Sequence, residues 1–190
     1  MITPDPTLSE HSDAIERRLA AIIRGISPET FQELLGDPGL SVMRSTMSCI
    51  SADSMSIWLV DDADERMVVT QTLPDPEFIG WSQPVGEGLI GLAYASEQSL
   101  CENRVYANAE HSKRADKALD QVTCALIATP LYVGGTLEGV LSCVQLKDSL
   151  DEPDPSGFTA RNMNRVRRLS KVIERLVNYR LLTRMLGVEL

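Results

Sequence analysis

Aromatic residues make up only 5% of the 190 residues, histidine occurs twice (His11 and His111), and no run of eighteen apolar residues exists. Without such a run no membrane-spanning helix is expected. Two histidines leave little with which to build a metal or haem centre. The four cysteines (Cys49, Cys101, Cys124 and Cys143) lie far apart with no C-x-x-C pair, so neither a disulfide framework nor a zinc site is indicated, and reduced, mostly buried thiols are expected. The opening MITPDPTLSEHSD is polar and acidic; it lacks the basic start and apolar stretch of a signal peptide, which points to the cytoplasm. No G-x-S-x-G elbow and no frame for paired-carboxylate catalysis can be found. Internal repeats are also missing.

What is present is a 43% apolar composition, enough to build one core of ordinary size. The net charge of -9 is unevenly spread: residues 158–190 hold eight Lys or Arg and two Glu, a local +6 that leaves -15 on the rest. Such a split suggests a basic helix facing an acidic surface, on a second subunit or on another protein, unless it is simply a solvated face. Nucleic acid is not an expected partner, since neither an aromatic platform nor a helix-turn-helix reader is evident.

Residues 9–25 carry Ile15, Leu19, Ile22 and Ile23 at helical spacing, and residues 1–27 are read as an amphipathic helical unit. Ser27-Pro28-Glu29 is a helix start, with serine at the cap and proline where its missing N–H costs nothing. Gly36-Asp37-Pro38-Gly39 breaks that helix, and a further helical pattern runs through Leu40, Val42, Met43, Met47 and Ile50. SMSIWLV (54–60) and RMVVTQTL (66–73) form one hairpin; CALIATPLYV (124–133) and TLEGVLSCVQL (136–146) form a second across Gly134-Gly135. Between the hairpins lie a short apolar piece, SLCEN, and a polar stretch of weak helical character. Pro153 and Pro155 mark a linker before a final helix of about 28 residues. This order argues for an α+β fold with an antiparallel sheet. Residues 28–157 are read as its core and 158–190 as a long basic helix.

PVGEGLIGLAYAS (84–96) contains G-x-G-x-x-G, the spacing that elsewhere cradles a dinucleotide. A dinucleotide fingerprint needs a strand before its first glycine and a parallel crossover after it. Here Pro84 precedes and the later elements are hairpins. The other reading is conformational: Gly86 and Gly88 make a tight turn, and Gly91, Ala93 and Ala95 let a short helix lie close on the sheet.

This segment resembles the helix-opening stretch of GAF domains, a family of small-molecule sensor modules. Thr129-Pro130-Leu131, Glu138-Gly139-Val140-Leu141 and the helix start Phe158-Thr159 match further family features in the expected order, over roughly residues 28 to 182. The resemblance implies a GAF/PAS-like antiparallel sheet of five to six strands, with N- and C-terminal helices on one face and a ligand pocket under a long irregular segment on the other. That roof is about residues 78–123. Phe78, Trp81, Leu89, Leu92, Tyr94 and Tyr106 could supply apolar walls, Asn103, Asp116 and Thr123 polar anchors, and Cys101 lies near; core packing is the alternative for each.

The family's marked chemistries can be compared residue by residue. No Cys-His pair is present for a covalent bilin. His111 sits in the polar EHSKRAD, where an exposed histidine is the ordinary case, so neither a metal nor another cofactor is expected. The cyclic-nucleotide signature is missing, although Arg104 and Arg114 in the roof leave that route open. In the related free methionine sulfoxide reductases a cysteine follows the P-V-G-x-G-[LV] run; this chain has Ile90, and Cys101 and Cys124 occupy no matching position.

In the final helix Val172, Tyr179, Leu182, Met185 and Leu186 widen the apolar surface beyond a single sheet contact. With Ile15, Leu19, Ile22 and Ile23 they suggest a homodimer across a two-fold axis, or else helices folded back on their own domain. The reading is a non-enzymatic sensor or regulatory module for an unknown small molecule. The alternatives are an interaction module with an empty or collapsed pocket, and a divergent reductase with relocated cysteines.

Overall fold

The strict alternation of Met55, Ile57 and Leu59 with Ser56, Trp58 and Val60 gives strand β1 (Ser54–Asp61) two different faces, and the rest of the fold is arranged on either side of them. The computed structural model describes residue 17, residues 26–61, residue 63 and residues 65–187. The first amphipathic helix, with Ile15, Leu19, Ile22 and Ile23, lies outside the described residues.

β1 pairs with β2 (Arg66–Leu73) and β5 (Val122–Val133) with β6 (Thr136–Lys147), the two hairpins expected. Two three-residue strands, β3 (Ser82–Pro84) and β4 (Leu100–Glu102), complete a six-stranded sheet in the order β3-β2-β1-β6-β5-β4, antiparallel throughout. β4 forms from the SLCEN piece. Gly134 and Gly135 both take positive φ at the β5–β6 turn, as the tight reversal requires. Gly139 is fixed differently: a Cβ there would lie 1.8 Å from the Trp58 carbonyl oxygen of the neighbouring strand. β4 reaches only residues 126–128 of β5, so the strand tolerates Pro130 just beyond that pairing.

Among the described residues, one face of the sheet carries two helices. α1 (Pro28–Ile50) starts at Ser27, whose hydroxyl accepts from Thr30 N–H, and is interrupted at Gly36, where φ is 53° and ψ is -171°. The expected break is therefore a kink between two helical halves. Arg180 fills it: its guanidinium donates to the Glu33 and Leu34 carbonyls, both at 3.1 Å, satisfying groups that the break leaves without helical partners. Arg180 belongs to the last helix, α4 (Ala160–Met185), which Thr159 opens with a capping box to Asn162. Phe31, Leu34, Met43, Met55, Ile57, Leu141, Ile173 and Val177 build the core between these helices and the sheet. Each such side chain contributes roughly 1.5–3 kcal/mol on burial.

The opposite face carries Trp58, Met67, Val69, Leu126, Ala128 and Val140, covered by the segment between the hairpins. That segment contains α2 (Gly88–Ser96), α3 (Arg114–Leu119) and single 3-10 turns at Pro76–Phe78 and Val105–Ala107. The fold is thus α+β, with terminal helix and irregular roof on opposite faces of one antiparallel sheet.

Candidate functional site

Between the sheet and this roof lies a cavity of about 320 Å³. Strand parity builds its floor: while Met55 and Ile57 point to the helices, Ser54, Ser56 and Trp58 point into the cavity, joined by Thr72, Leu126, Ser142 and Val144 from neighbouring strands. Phe78 and Leu89 form walls, and His111, Ser112, Ala115, Asp116 and Leu119 close the roof side.

The floor's polar atoms are held in place. Ser56 donates to the Thr72 hydroxyl at 3.1 Å, and Trp58 Nε1–H donates to Ser142 Oγ at 3.0 Å. Trp58 also meets Phe78 and Trp81 edge-on, with ring centroids 6.0 and 5.6 Å away, while Phe78 and Trp81 stack on each other. Gln83 donates to the Glu87 carbonyl at 2.8 Å and so ties β3 to the start of α2.

Asp116 organises the roof. Its carboxylate accepts from His111 Nε2–H at 3.0 Å, from Thr123 N–H at 3.1 Å and from the Thr123 hydroxyl at 2.5 Å. A carboxylate only accepts, so Nε2 of His111 carries the proton. Burial pushes this carboxyl up, but the hydrogen bonds from His111 and Thr123 outweigh it and hold Asp116 below its ordinary range. A second fastening joins Ser112, through its hydroxyl, to the Glu87 carboxylate, which also pairs with Arg114 at 3.4 Å.

Of the ten residues singled out from the sequence, Phe78, Leu89, Asp116 and Thr123 line the cavity. The other six lie outside that lining. Trp81 backs Phe78 from behind. Leu92 is 48% exposed on the outer side of α2, and Tyr94 packs at the margin of the roof core. Cys101 is exposed on the edge strand β4. Asn103 binds the backbone of Phe158, and Tyr106 donates to Asp154 at 2.7 Å; both fasten the linker that leads into α4.

The serines, Thr72 and Trp58 of the floor escaped the sequence reading although alternation marked them: they stand one residue out of phase with Met55 and Ile57. His111 is a correction. Its side chain is 9% exposed and faces the cavity, because Asp116 and Thr123 draw the polar segment down onto the sheet. A second correction concerns part of the glycine reading. The turn is present, with Glu87 N–H donating to the Pro84 carbonyl at 3.1 Å and Gly88 at φ +71°, but an added Cβ at Gly86 meets nothing within 4 Å. Gly91 packs on its own turn, where a Cβ would lie 2.4 Å from the Val85 carbonyl oxygen; Ala93 is buried and Ala95 exposed. A third concerns the thiols: Cys124 and Cys143 are buried, but Cys49 and Cys101 are exposed. Burial raises the thiol pKa at Cys101, Cys124 and Cys143.

Among the described residues no helix is long and apolar enough to cross a membrane. On α4, Val172, Tyr179 and Leu182 are exposed and Met185 is half-buried; Leu186, just past its end, is exposed.

Comparison with solved structures places the chain beside the GAF domain of a phosphoenolpyruvate-protein phosphotransferase from Coxiella burnetii, at 18% identity and a TM-score of 0.62, covering 93% of this chain and 96% of that one. The corresponding domain from Acinetobacter is 16% identical with a TM-score of 0.58, over 90% and 94% of the two chains. Free methionine-R-sulfoxide reductase from Neisseria meningitidis, solved with its substrate, is 16% identical with a TM-score of 0.57, over 95% and 96%. The fold therefore serves both GAF modules and an enzyme. No curated protein sequence matches the chain. The GAF domain model matches residues 40–176, a span that includes both hairpins, the roof and most of α4, and the chain belongs to the GAF domain family.

Proposed function

We propose that the chain is a non-enzymatic sensor whose cavity takes a small uncharged or cationic organic molecule, and which signals through a homodimer formed by its terminal helices. The cavity carries this reading. Its volume of about 320 Å³ lies at the small end of the roughly 300–1,000 Å³ typical of ligand sites. Aromatic and aliphatic walls with serine and threonine hydroxyls on the floor suit such a guest.

Among the described residues no Lys or Arg lines the cavity, whereas Asp53, Asp75 and Asp116 do. A phosphate or carboxylate buried there would find no Lys or Arg, and the basic side chain His111 is already engaged by Asp116, so its desolvation would be poorly compensated. This weighs against a cyclic nucleotide and against free methionine sulfoxide, whose carboxylate needs the same compensation. The thiols weigh against reductase chemistry as well: the nucleophile must be a thiolate, and at Cys101, Cys124 and Cys143 the thiol pKa is raised rather than lowered. An open cavity also favours ligand binding over a collapsed pocket. A bound molecule would act by differential affinity for two arrangements of the dimer helices.

The test is a thermal-shift screen of amines, quaternary ammonium compounds and uncharged metabolites, repeated with Ser54→Phe, which fills the cavity from β1. A saturable rise in midpoint that Ser54→Phe abolishes supports the reading. Equal shifts in both proteins, or none with any compound, would count against it.

A further inference from the structure

On the helix side of the sheet, well away from the cavity, α4 and β5 enclose an open groove of about 810 Å³. Asn164, Arg167, Arg168, Lys171 and Arg175 project along one side of the helix at intervals of three and four residues, so they share a face. Thr129, Pro130 and Tyr132 of β5 form the other wall, with Glu97 and Ser99 at its end.

The cations outnumber their local partners. Lys171 pairs with Glu174 at 2.8 Å and lies over the Tyr132 ring, 5.2 Å from its centroid. Glu97 accepts from the Tyr132 hydroxyl at 2.8 Å. Arg167, Arg168 and Arg175 are exposed and make no ion pair among the described residues. Thr129 on the same wall is only 5% exposed, and its Oγ1 is buried without a hydrogen-bond partner. All this sits on a chain whose remaining residues are strongly acidic, so the positive face is local.

We propose that this groove binds an extended acidic segment of a partner protein, with carboxylates on the arginines and Lys171. Length favours a segment over a single small anion. The stripe from Asn164 to Arg175 spans roughly 17 Å at 1.5 Å per helical residue, which about five extended residues cover at ~3.3 Å each. A lone phosphate would engage one or two of these side chains. Each exposed pair is weak, so binding depends on several engaged together and falls steeply with salt.

The experiment titrates the full chain into a fluorescein-labelled octaglutamate peptide and follows anisotropy at low and physiological salt. Arg167→Glu/Arg175→Glu is compared with Arg44→Glu/Lys117→Glu, an equal change of net charge at exposed positions outside the groove. Melting temperatures serve as a check that both variants fold. The expected result is salt-sensitive binding that the groove variant weakens at least tenfold and the control variant less than twofold. Pyrophosphate should displace the peptide only at far higher concentration. No binding by the parent chain, or equal losses in the two variants, would overturn the proposal. Displacement by micromolar pyrophosphate, or tighter binding of a DNA duplex through the same arginines, would replace the protein segment with another occupant.

Discussion

Asn103 grips Phe158 from both sides: its Oδ1 accepts the Phe158 N–H at 2.7 Å and its Nδ2 donates to the Phe158 carbonyl at 2.9 Å. The side chain thereby mimics a strand at the end of β4 and sets where α4 begins. Gly157, with φ +74°, leaves room for it; a Cβ there would lie 2.9 Å from the Asn103 amide. Asn103→Ala should cost about 1–3 kcal/mol through two lost hydrogen bonds. Asn103→Asp, which keeps only the acceptor, should fall between. Urea unfolding midpoints decide this, and an Asn103→Ala protein as stable as the parent would refute the clasp.

The G-x-G-x-x-G run can be dissected one glycine at a time. Gly86→Ala meets open space at a residue without positive φ, so stability should hold or rise by up to about 1 kcal/mol from a less flexible unfolded chain. Gly91→Ala drives a methyl into the Val85 carbonyl and should destabilise by about 1–3 kcal/mol. Denaturant unfolding of the two variants checks the order. The reverse order would mean that the turn is held in some other way.

Asp116 predicts a pH dependence with a definite sign. A carboxyl whose folded pKa lies below its unfolded one contributes stability above the unfolded pKa, about 3.9 for aspartate, and loses it as pH falls through the folded value. The stability gap between the parent and Asp116→Asn should therefore be widest near neutrality and close below about pH 4. Urea midpoints measured across that range test it; a gap that widened in acid would contradict the hydrogen-bonded carboxylate.

The exposed stripe on α4 gives a prediction about assembly. Tyr179 is 57% and Leu182 45% exposed, one helical turn apart. If they meet a second copy, light scattering on the parent should report twice the 20.9 kDa chain mass. Tyr179→Glu/Leu182→Glu should then reduce it to one chain that still unfolds cooperatively. A parent that already runs as a single chain removes the dimer from the proposed function.

Local signals account for how much of this fold could be read in advance. Alternation at Met55-Ser56-Ile57-Trp58, the paired glycines 134 and 135, and Ser27-Pro28 each act within a few residues, so both hairpins and the start of α1 were legible, while the expected break at Gly36 became a kink inside it. The six-stranded count depended on Ser82–Pro84 and Leu100–Glu102, too short to show a period of their own.

By itself the sequence determined the order of the long elements, the family resemblance, and which face of each long strand is apolar, because backbone sterics and side-chain periodicity operate over short distances along the chain. Tertiary structure alone decided where the roof lies and what lines the space beneath it. His111, Asp116 and Thr123, and across a longer gap Glu87 and Ser112, are brought together by chain reversal, and no local pattern announces their hydrogen bonds. Those contacts draw a polar histidine onto the sheet and leave the tyrosine and asparagine of the same segment to fasten a distant linker, since a roof without a hydrophobic period is seated by whichever polar partners the finished sheet presents.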